Sequence, residues 1–365
     1  MKLLSNVLGI KLKIQKREEV SRKFDILLTF ISICVALLVV AVIFLSFGIN
    51  AFVTFKQIFL SLLNADIVTV RMIPLLLCSI GLVIVFKANI WNIGAEGQLL
   101  IGAVAAAWVA LFLIPDAPSY ILIPCMFILG FLFAGIWALI PAALRAYLDI
   151  NEIITTLMMN YIAYFLVAYL ASGPWIGKTV WGFKQTDLIP PQARLPQIGG
   201  TLIHYPTLII AIVGAIFIYI LLQYTKFGFE IRVYGSNPEA AKYAGINEAK
   251  VILLTMFISG GLAGVAGVGE LAGVRYRLTA NPKGLSAGYG FTAIIVACLA
   301  RFNPIAAILV SYLMGGIIVG GYALQTSLNI SRGVVNIFNG LILLSLISAE
   351  ILKRYKISFK VVKSK

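Results

Sequence analysis

Long and almost unbroken runs of apolar residues dominate this sequence, and polar residues collect in the short segments between the runs. Several runs reach the roughly 20 residues that an α-helix needs to cross a hydrocarbon core about 30 Å thick. The runs are continuous, whereas the strands of a membrane β-barrel place a polar residue at every second position. The pattern therefore predicts an all-α, polytopic membrane protein.

The runs predict about ten transmembrane helices. Because no small-residue cleavage site follows the first run, we interpret it as an uncleaved anchor. The amphipathic stretch 50–71 comes next and is expected to lie at the outer interface without crossing. The predicted spans are residues 26–47, 72–86, 99–115, 120–144, 153–171, 207–223, 251–274, 288–300, 304–324 and 333–352.

Two of the predicted spans, 72–86 and 288–300, are too short to cross alone at 1.5 Å per residue. Each adjoins a segment rich in glycine and polar residues, which is typical of a broken helix. They fall in the first and second halves of the chain, an arrangement that in transporters often reflects an internal repeat with the transport path between its halves. The two halves of the chain share no repeated sequence motif.

The composition agrees with this pattern, since 61% of the residues are apolar, 12% are charged and the mean hydropathy is +1.00. So few charged side chains cannot coat a soluble enzyme of this size. The net charge of +15 is concentrated at the ends, with seven basic residues before the first span and six after the last. The sequence contains no stripe of basic and aromatic residues that would indicate nucleic-acid binding. We therefore interpret the positive charge as a signal of membrane topology. We predict cytoplasmic tails at 1–25 and 353–365, a transmembrane domain at 26–352 and an even number of crossings.

Ten crossings place the loop 224–250 in the cytoplasm and the longer loop 172–206, which contains His204, outside. The four cysteines fall within apolar stretches without close spacing, so they are interpreted as core residues and not as metal ligands or disulfides. No metal site is predicted. The cysteines are Cys34, Cys78, Cys125 and Cys298.

The first break, residues 89–98, brings amide and carboxylate side chains to the end of an apolar run. Asn92, Glu96 and Gln98 are candidates for a solute pathway, because the glycines beside them let backbone approach a solute closely. Non-helical backbone at membrane depth also requires a polar environment. An ordinary cytoplasmic turn with a solvated Glu96 fits the spacing equally well.

The second break, residues 285–293, adds Tyr289, whose ring can stack on a flat solute, and Thr292, whose hydroxyl can bond within or between helices. Asn160 is a further polar group within an apolar run and must bind either a neighbouring helix or a passing solute. Structural packing is the competing interpretation for each of these three residues. Glu270, close to Arg275 at the end of a span, is interpreted as an interfacial ion pair.

The loop 224–250 contains the signals of a short helix at 237–245. An asparagine suits the N-cap, the proline after it suits the first helical position, and the next residue is a glutamate that favours the positive helix end. A glycine eight residues after the asparagine suits the C-terminal cap. Small alanines at 240, 241 and 244 are expected on an exposed face, where another surface can come close. The helix is either a packed loop helix without a partner or a docking element.

Four segments of the chain carry a resemblance: NIWNIGAEGQLLIGA, IITTLMMNYIA, GFEIRVYGSNPEAAKYAGI and GYGFTAIIVACLARFNP. In this order they resemble permease subunits of bacterial ABC importers for branched-chain amino acids, ribose and nucleosides, and most closely those for nucleosides and simple sugars. The resemblance covers about 72–352. It implies the ABC importer permease fold, a second permease subunit with a heterodimer favoured over a homodimer, two ATPase subunits and an external substrate-binding lipoprotein. It also implies that the 237–245 helix is the coupling helix that docks on the ATPase. By this resemblance the coupling role falls to Asn237, Pro238, Glu239, Ala240, Ala241 and Gly245.

The principal hypothesis is a permease subunit that moves a nucleoside, or a related nucleobase or sugar compound, across the bacterial cytoplasmic membrane. The chain has no G-x-x-x-x-G-K-[ST] phosphate loop, so we expect it to bind no cofactor and a partner subunit to use the ATP. An ion-coupled secondary transporter of a small polar solute is the rival, because it explains the two breaks without any partner. An intramembrane enzyme is a more remote rival, since no Ser–His, Cys–His or paired-carboxylate constellation is evident.

Overall fold

The structure, a computed structural model, describes residues 50–179 and 182–327, the segments 10–16 and 355–361, and five isolated positions elsewhere. The chain divides into two compact units. One is Ser61–Val319, and the other combines Met1–Leu60 with Gly320–Lys365. The candidate site lies entirely in the first of them.

Within the described residues the chain forms twelve α-helices and one pair of β-strands. Two of the helices, α3 and α9, continue into short π-helical turns at Val109–Leu113 and Leu271–Arg275. The elements are β1 (Ile10–Lys16), α1 (Ala51–Leu62), α2 (Ala65–Lys87), α3 (Ala95–Trp108), α4 (Ser119–Leu148), α5 (Glu152–Ser172), α6 (Tyr205–Tyr224), α7 (Lys226–Ser236), α8 (Pro238–Tyr243), α9 (Glu248–Glu270), α10 (Lys283–Ser286), α11 (Tyr289–Leu299), α12 (Pro304–Ser327) and β2 (Tyr355–Val361).

Seven helices in the described part of the chain are long and apolar enough to cross a membrane: α2 to α6, α9 and α12. They coincide with seven of the ten predicted spans, and they confirm a nearly all-helical, multi-pass membrane protein. Apart from the five isolated positions, the predicted spans 26–47 and 333–352 lie outside the described residues. The total of ten therefore stays a prediction.

The prediction that residues 72–86 form a short span was wrong. Helix α2 has 23 residues and is therefore about 35 Å long, enough to cross alone. Residues 65–71 belong to α2, and only α1 remains of the amphipathic helix predicted at 50–71. Arg71 interrupts the apolar run of the sequence at this point, which is why the predicted span began after it. Its guanidinium nevertheless has a partner within the protein. Its Nη1 donates a hydrogen bond to the Tyr289 hydroxyl of α11 at 2.7 Å.

The second short span is a broken helix, as predicted. Helices α10 and α11 are separated by Ala287 and Gly288, both in the left-handed region with φ of 46° and 78°. Glycine adopts this conformation without strain, and alanine does so at a cost. Helix α11 has 11 residues and is about 16 Å long, roughly half the length of a crossing.

Strands β1 and β2 add a small sheet to a fold predicted as all-α. They pair antiparallel, from Ile10 opposite Val361 to Lys16 opposite Tyr355. The pairing joins the two predicted tails directly. The pairing is compatible with the predicted location of both tails on one side of the membrane, which stays a prediction.

Helices α2 and α9 form the centre of the larger unit. In the most apolar window of each span, 83% of α2 and 78% of the α9 span are buried, against 22% of α5 and 28% of α6. Glycines on α9 allow its neighbours to approach its backbone. A Cβ added at Gly264 would lie 2.3 Å from the Gly130 carbonyl oxygen, and one at Gly267 would lie 1.9 Å from that of Leu99. A Cβ added at Gly260 would lie 2.7 Å from the Ala134 carbonyl oxygen, so α4 packs closely along α9.

The cysteines in the described part of the chain are not disulfide-bonded. Cys78 of α2 is buried, and Cys125 of α4 and Cys298 of α11 are half-buried. These positions agree with the predicted role as core residues, whereas Cys34 lies outside the described residues. Within the described part, no group of three or more histidine, cysteine or acidic side chains could hold a metal ion.

Candidate functional site

The first break, between α2 and α3, lies inside the protein. Asn92 is fully buried, and its Nδ2 donates to Gln98 Oε1 at 2.9 Å and to Ser259 Oγ at 3.0 Å. Ser259 stands near the middle of α9, so the break reaches about half the depth of that helix. Asn92 Oδ1 accepts hydrogen bonds from Gly94 N at 2.9 Å and Gln98 Nε2 at 3.1 Å. The interpretation as a cytoplasmic turn with a solvated Glu96 is wrong, because Glu96 is also fully buried.

Helix α5 supplies the polar groups that satisfy the backbone of this break. Asn160 Oδ1 accepts from Gly97 N at 2.8 Å, and its Nδ2 donates to Ile93 O at 2.9 Å. Thr156 Oγ1 accepts from Ile93 N at 3.2 Å. Backbone that leaves a helix at membrane depth requires such partners, because no water is available there. Asn160 therefore makes an interhelical contact in this structure.

Glu96 joins the first break to the second. Its Oε1 accepts hydrogen bonds from the Tyr164 hydroxyl at 3.0 Å and from Gly288 N at 3.1 Å, and its Oε2 accepts from Gly290 N at 2.8 Å. The carboxylate thus caps the N-terminus of α11, where the helix dipole favours a negative charge. The backbones are in close contact, since a Cβ added at Gly290 would lie 2.2 Å from Glu96 N. Two breaks predicted from different halves of the chain meet at this side chain.

The six predicted pathway residues lie at the two breaks, but not all of them contact one another. Asn92 and Gln98 bind each other, and Asn160 binds the backbone of the same break. Glu96, between them in sequence, binds the start of α11 instead. Tyr289 is buried beside the Glu96-bound end of α11, and its hydroxyl accepts the hydrogen bond from Arg71. Thr292 is half-buried one turn further along α11, and its side chain makes no hydrogen bond within the described residues. Whether any of the six contacts a solute stays a prediction.

The sequence analysis missed Ser259 and Arg71 as members of this region, and it misjudged Glu270. Glu270 is buried, and neither of its oxygens has a hydrogen-bond partner among the residues that the structure describes. The predicted ion pair with Arg275 at the interface is therefore wrong. Arg71 and Arg275 act on the carboxylate only through longer-range electrostatic attraction. A signal for Glu270 was present in the sequence, because it is a charged residue inside an apolar run. In a membrane protein such a residue is by default a candidate for a functional site.

His204 lies at the N-cap of α6 and is also buried, with both ring nitrogens lacking a hydrogen-bond partner. The ring packs against the π-helical turn after α9, since a Cβ added at Gly273 would lie 2.5 Å from His204 Cδ2. Burial lowers the pKa of His204 from 6.5 to about 4. The ring is therefore neutral at pH 7.

The short helix predicted in the loop 224–250 is confirmed as α8. Asn237 Oδ1 caps it by accepting from Ala240 N at 3.1 Å, and Gly245 follows it with a φ of 76°. One part of the prediction was wrong, because Ala241 is only 1% exposed and packs inwards. The exposed surface around α8 includes Ala240, Ala244 and Tyr243, and Tyr243 is 93% exposed.

Helix α7 connects α8 to the first break. A Cβ added at Gly235 would lie 2.0 Å from the carbonyl oxygen of Lys87, the last residue of α2. Tyr234 of α7 donates from its hydroxyl to Glu248 Oε1 at 2.7 Å, and burial raises the pKa of this phenol. The α7–α8 pair is therefore fixed both to the start of α9 and to the point where α2 ends and the break begins.

Comparisons with known proteins agree with this architecture. Residues 64–347 match the family model described as the permease component of the branched-chain amino acid transport system. The chain is 36% identical over 301 residues to the glucose ABC transporter permease protein of Haloferax volcanii, covering 80% of this chain and 77% of that one. It is 33% identical to the guanosine ABC transporter permease protein of Bacillus subtilis, covering 77% and 80%. It is also 33% identical to the nucleoside ABC transporter permease protein of Lactococcus lactis, covering 80% and 83%.

No solved structure matches the chain. The family model nevertheless covers more than half of its length, and the matched region contains all seven candidate spans and both breaks. The protein therefore belongs to the branched-chain amino acid transport permease family, and it is a permease subunit of an ABC transporter.

Proposed function

We propose that this chain is one of two permease subunits of an ATP-driven importer, and that it moves a nucleoside or a related nucleobase or sugar compound into the cell. ATP binding by separate ATPase subunits displaces α8, and the displacement changes access to a pathway at the two breaks. An external lipoprotein delivers the solute. The membrane is the bacterial cytoplasmic membrane.

The observation that carries this proposal is the continuous contact from α8 to Glu96. Helix α8 follows α7 directly, α7 lies on the last carbonyl of α2, and the break after α2 leads within seven residues to Ala95 at the start of α3. Glu96 in turn holds the start of α11. A force applied to α8 is thus transmitted to both breaks through backbone contacts that leave no room for a side chain. This arrangement suits a docking element better than a loop helix without a partner.

The nature of the solute is inferred from the chemistry of the breaks and from the relatives. The predicted pathway residues are Asn92, Glu96, Gln98, Asn160, Tyr289 and Thr292, which offer amides, a hydroxyl and one aromatic ring. Such groups suit a flat, polar, uncharged molecule. The relatives named above are described as permeases for glucose, guanosine and nucleosides. A sugar ring is common to all these compounds.

The topology supports the assignment of both tails to the cytoplasm. The β1–β2 pairing holds the tails together, and the tails carry most of the excess positive charge. Basic segments next to a span are retained on the cytoplasmic side. A second permease that differs from this chain is expected as the partner.

A test of coupling replaces Ala240 by tryptophan on the exposed face of α8. We expect ATP-driven guanosine uptake by the full transporter to fall at least tenfold, because the added ring prevents close docking, while the permease stays folded. Ser119→Trp, at the exposed start of α4, is the matched control and retains uptake. Unchanged uptake by Ala240→Trp would contradict docking on this face.

The rival function, an ion-coupled secondary transporter, makes the opposite prediction. This chain reconstituted alone would then accumulate the solute when an ion gradient is imposed and would ignore ATP. Accumulation that requires the ATPase and persists after collapse of the ion gradients supports the importer.

A further inference from the structure

Glu270, the last residue of α9, is a buried carboxylate without a hydrogen bond. It is 1% exposed, and neither Oε1 nor Oε2 has a hydrogen-bond partner. An ionised carboxylate buried in this way costs several kcal/mol unless a partner satisfies it. Glu96, which is equally buried, accepts three hydrogen bonds from the protein. Glu270 therefore presents two acceptor oxygens that the groups in the described part of the chain leave unsatisfied.

The surroundings of Glu270 are positively charged but make no direct contact with it. Arg71 and Arg275 attract the carboxylate electrostatically, and Glu270 forms no salt bridge within the described residues. Arg71 is turned towards α11, where its Nη1 donates to the Tyr289 hydroxyl. The two guanidinium groups oppose the negative charge of the carboxylate without donating a hydrogen bond to it. A cationic solute or a metal ion is therefore disfavoured, and an uncharged hydrogen-bond donor is the suitable partner.

The backbone at Glu270 is irregular and firmly held. Directly after it the helix changes to the π-helical turn Leu271–Arg275, which Tyr276 ends with a left-handed φ of 59°. The Tyr276 hydroxyl donates to Gly273 O at 3.1 Å, and the Arg194 guanidinium lies 5.1 Å from the centre of the Tyr276 ring. Turns of this type are rare and frequently occur at functional sites.

We propose that the Glu270 carboxylate recognises the transported solute by accepting hydrogen bonds from two adjacent donors of an uncharged polar molecule. Vicinal hydroxyls of a sugar and neighbouring N–H groups on the edge of a nucleobase both present two donors at the spacing of the two carboxylate oxygens. Hydrogen bonds to an ionised acceptor are about twice as strong as neutral ones. Tyr289, which shares Arg71 with this site, supplies an aromatic ring for stacking.

This inference rests on the proposed function, and the test separates the two. The full transporter, assembled from this chain, its ATPase, the second permease and the binding lipoprotein, is reconstituted in proteoliposomes, and ATP-driven uptake of guanosine and glucose is measured. Failure of the wild-type transporter to take up either compound would overturn the proposed function. Wild-type uptake that Glu270→Gln leaves unchanged would overturn only the role of Glu270.

Glu270→Gln preserves the size of the side chain and removes its charge and one acceptor. We expect the solute concentration at half-maximal uptake to rise about 10-fold to 100-fold, the range that loss of one hydrogen bond to a charged group implies. The melting temperature of the permease should stay equal or increase, because the variant removes an unsatisfied buried charge. A lower melting temperature together with a normal solute concentration at half-maximal uptake would indicate a structural role and overturn the inference.

Glu270→Asp keeps the charge on a shorter side chain. It should raise the solute concentration at half-maximal uptake less than the glutamine variant does. Asp116→Asn removes a carboxylate from an exposed loop and is the matched control.

Modified solutes identify the two donors. If vicinal hydroxyls bind Glu270, 2′,3′-dideoxyguanosine competes weakly with guanosine in the wild type, and the difference disappears in Glu270→Gln. If the edge of the base binds Glu270, the weak competitor in the wild type is instead inosine, which lacks the exocyclic amine. Its difference from guanosine then disappears in Glu270→Gln. A glutamine variant that retains the full wild-type discrimination against both analogues would overturn the inference.

Discussion

Replacing Glu96 by glutamine removes one acceptor from the point where the two helix breaks meet. The wild-type carboxylate faces three donors, two on Oε1 and one on Oε2. Glutamine retains the Oε1 acceptor for the Tyr164 hydroxyl and Gly288 N. Its amide nitrogen then occupies the place of Oε2 and points its hydrogens at Gly290 N, which is itself a donor.

The expected loss of stability follows from these contacts. A hydrogen bond to a charged group contributes about 1.5–3 kcal/mol, and a negative charge at a helix N-terminus contributes about 0.3–1 kcal/mol more. One bond and the charge are lost, and the Gly290 N–H remains buried without an acceptor. We therefore expect Glu96→Gln to reduce the free energy of unfolding by about 2–4 kcal/mol.

The measurement is reversible unfolding in mixed micelles by sodium dodecyl sulfate, followed by circular dichroism. Asp116→Asn makes the same chemical change at an exposed residue and should alter the free energy of unfolding by less than about 0.5 kcal/mol. If Glu96→Gln proves as stable as this control, the Glu96 carboxylate does not hold α11, and the link between the breaks is refuted.

Three further predictions test other parts of the structure. Gly290→Ala should destabilise by about 1–3 kcal/mol, because the new Cβ meets the backbone of α3, whereas Gly284→Ala, with nothing within 4 Å, should be close to neutral in the same unfolding assay. The pKa of His204 is about 4 folded and 6.5 unfolded, so the unfolded chain binds the proton first. Stability should therefore be full above pH 6.5 and fall by about 3 kcal/mol as the pH decreases to 4, and H204Q should remove this part of the pH dependence. Asn237→Ala and Asn151→Ala each remove an N-cap and should cost about 1 kcal/mol, but only the first should uncouple ATP hydrolysis from uptake in proteoliposomes.

Much of the fold could be predicted because apolar runs of sufficient length dictate crossings regardless of their partners. The helix at 237–245 was predictable for a local reason, since Asn237, Pro238 and Gly245 determine its ends through their own backbone preferences. The break at 287–288 was predictable in the same way from Gly288 and the polar residues around it. These features depend on residues close together in the chain.

The features that could not be predicted depend on distant residues. The predicted span began after Arg71, because a charged residue normally lies outside an apolar span. Nothing in the local sequence reveals that Tyr289 accepts a hydrogen bond from Arg71 inside the protein. Ala241 lies on a helix too short to show a periodic pattern, so its buried position is decided by α7 and α9. Glu270 looked like an interfacial residue because Arg275 follows it by five positions, yet the helices packed around it bury its carboxylate.

The glycine contacts of α9 restrict how this protein can move. At Gly264 and Gly267 the backbone of α9 touches the backbones of α4 and α3, and backbone in contact cannot slide or tilt without losing its packing on every side at once. These three helices should therefore act as a single rigid pillar during the transport cycle. The motion that exposes the solute first to one side and then to the other must come from less enclosed parts, such as α5, α6 and the half-length α11, turning about this pillar.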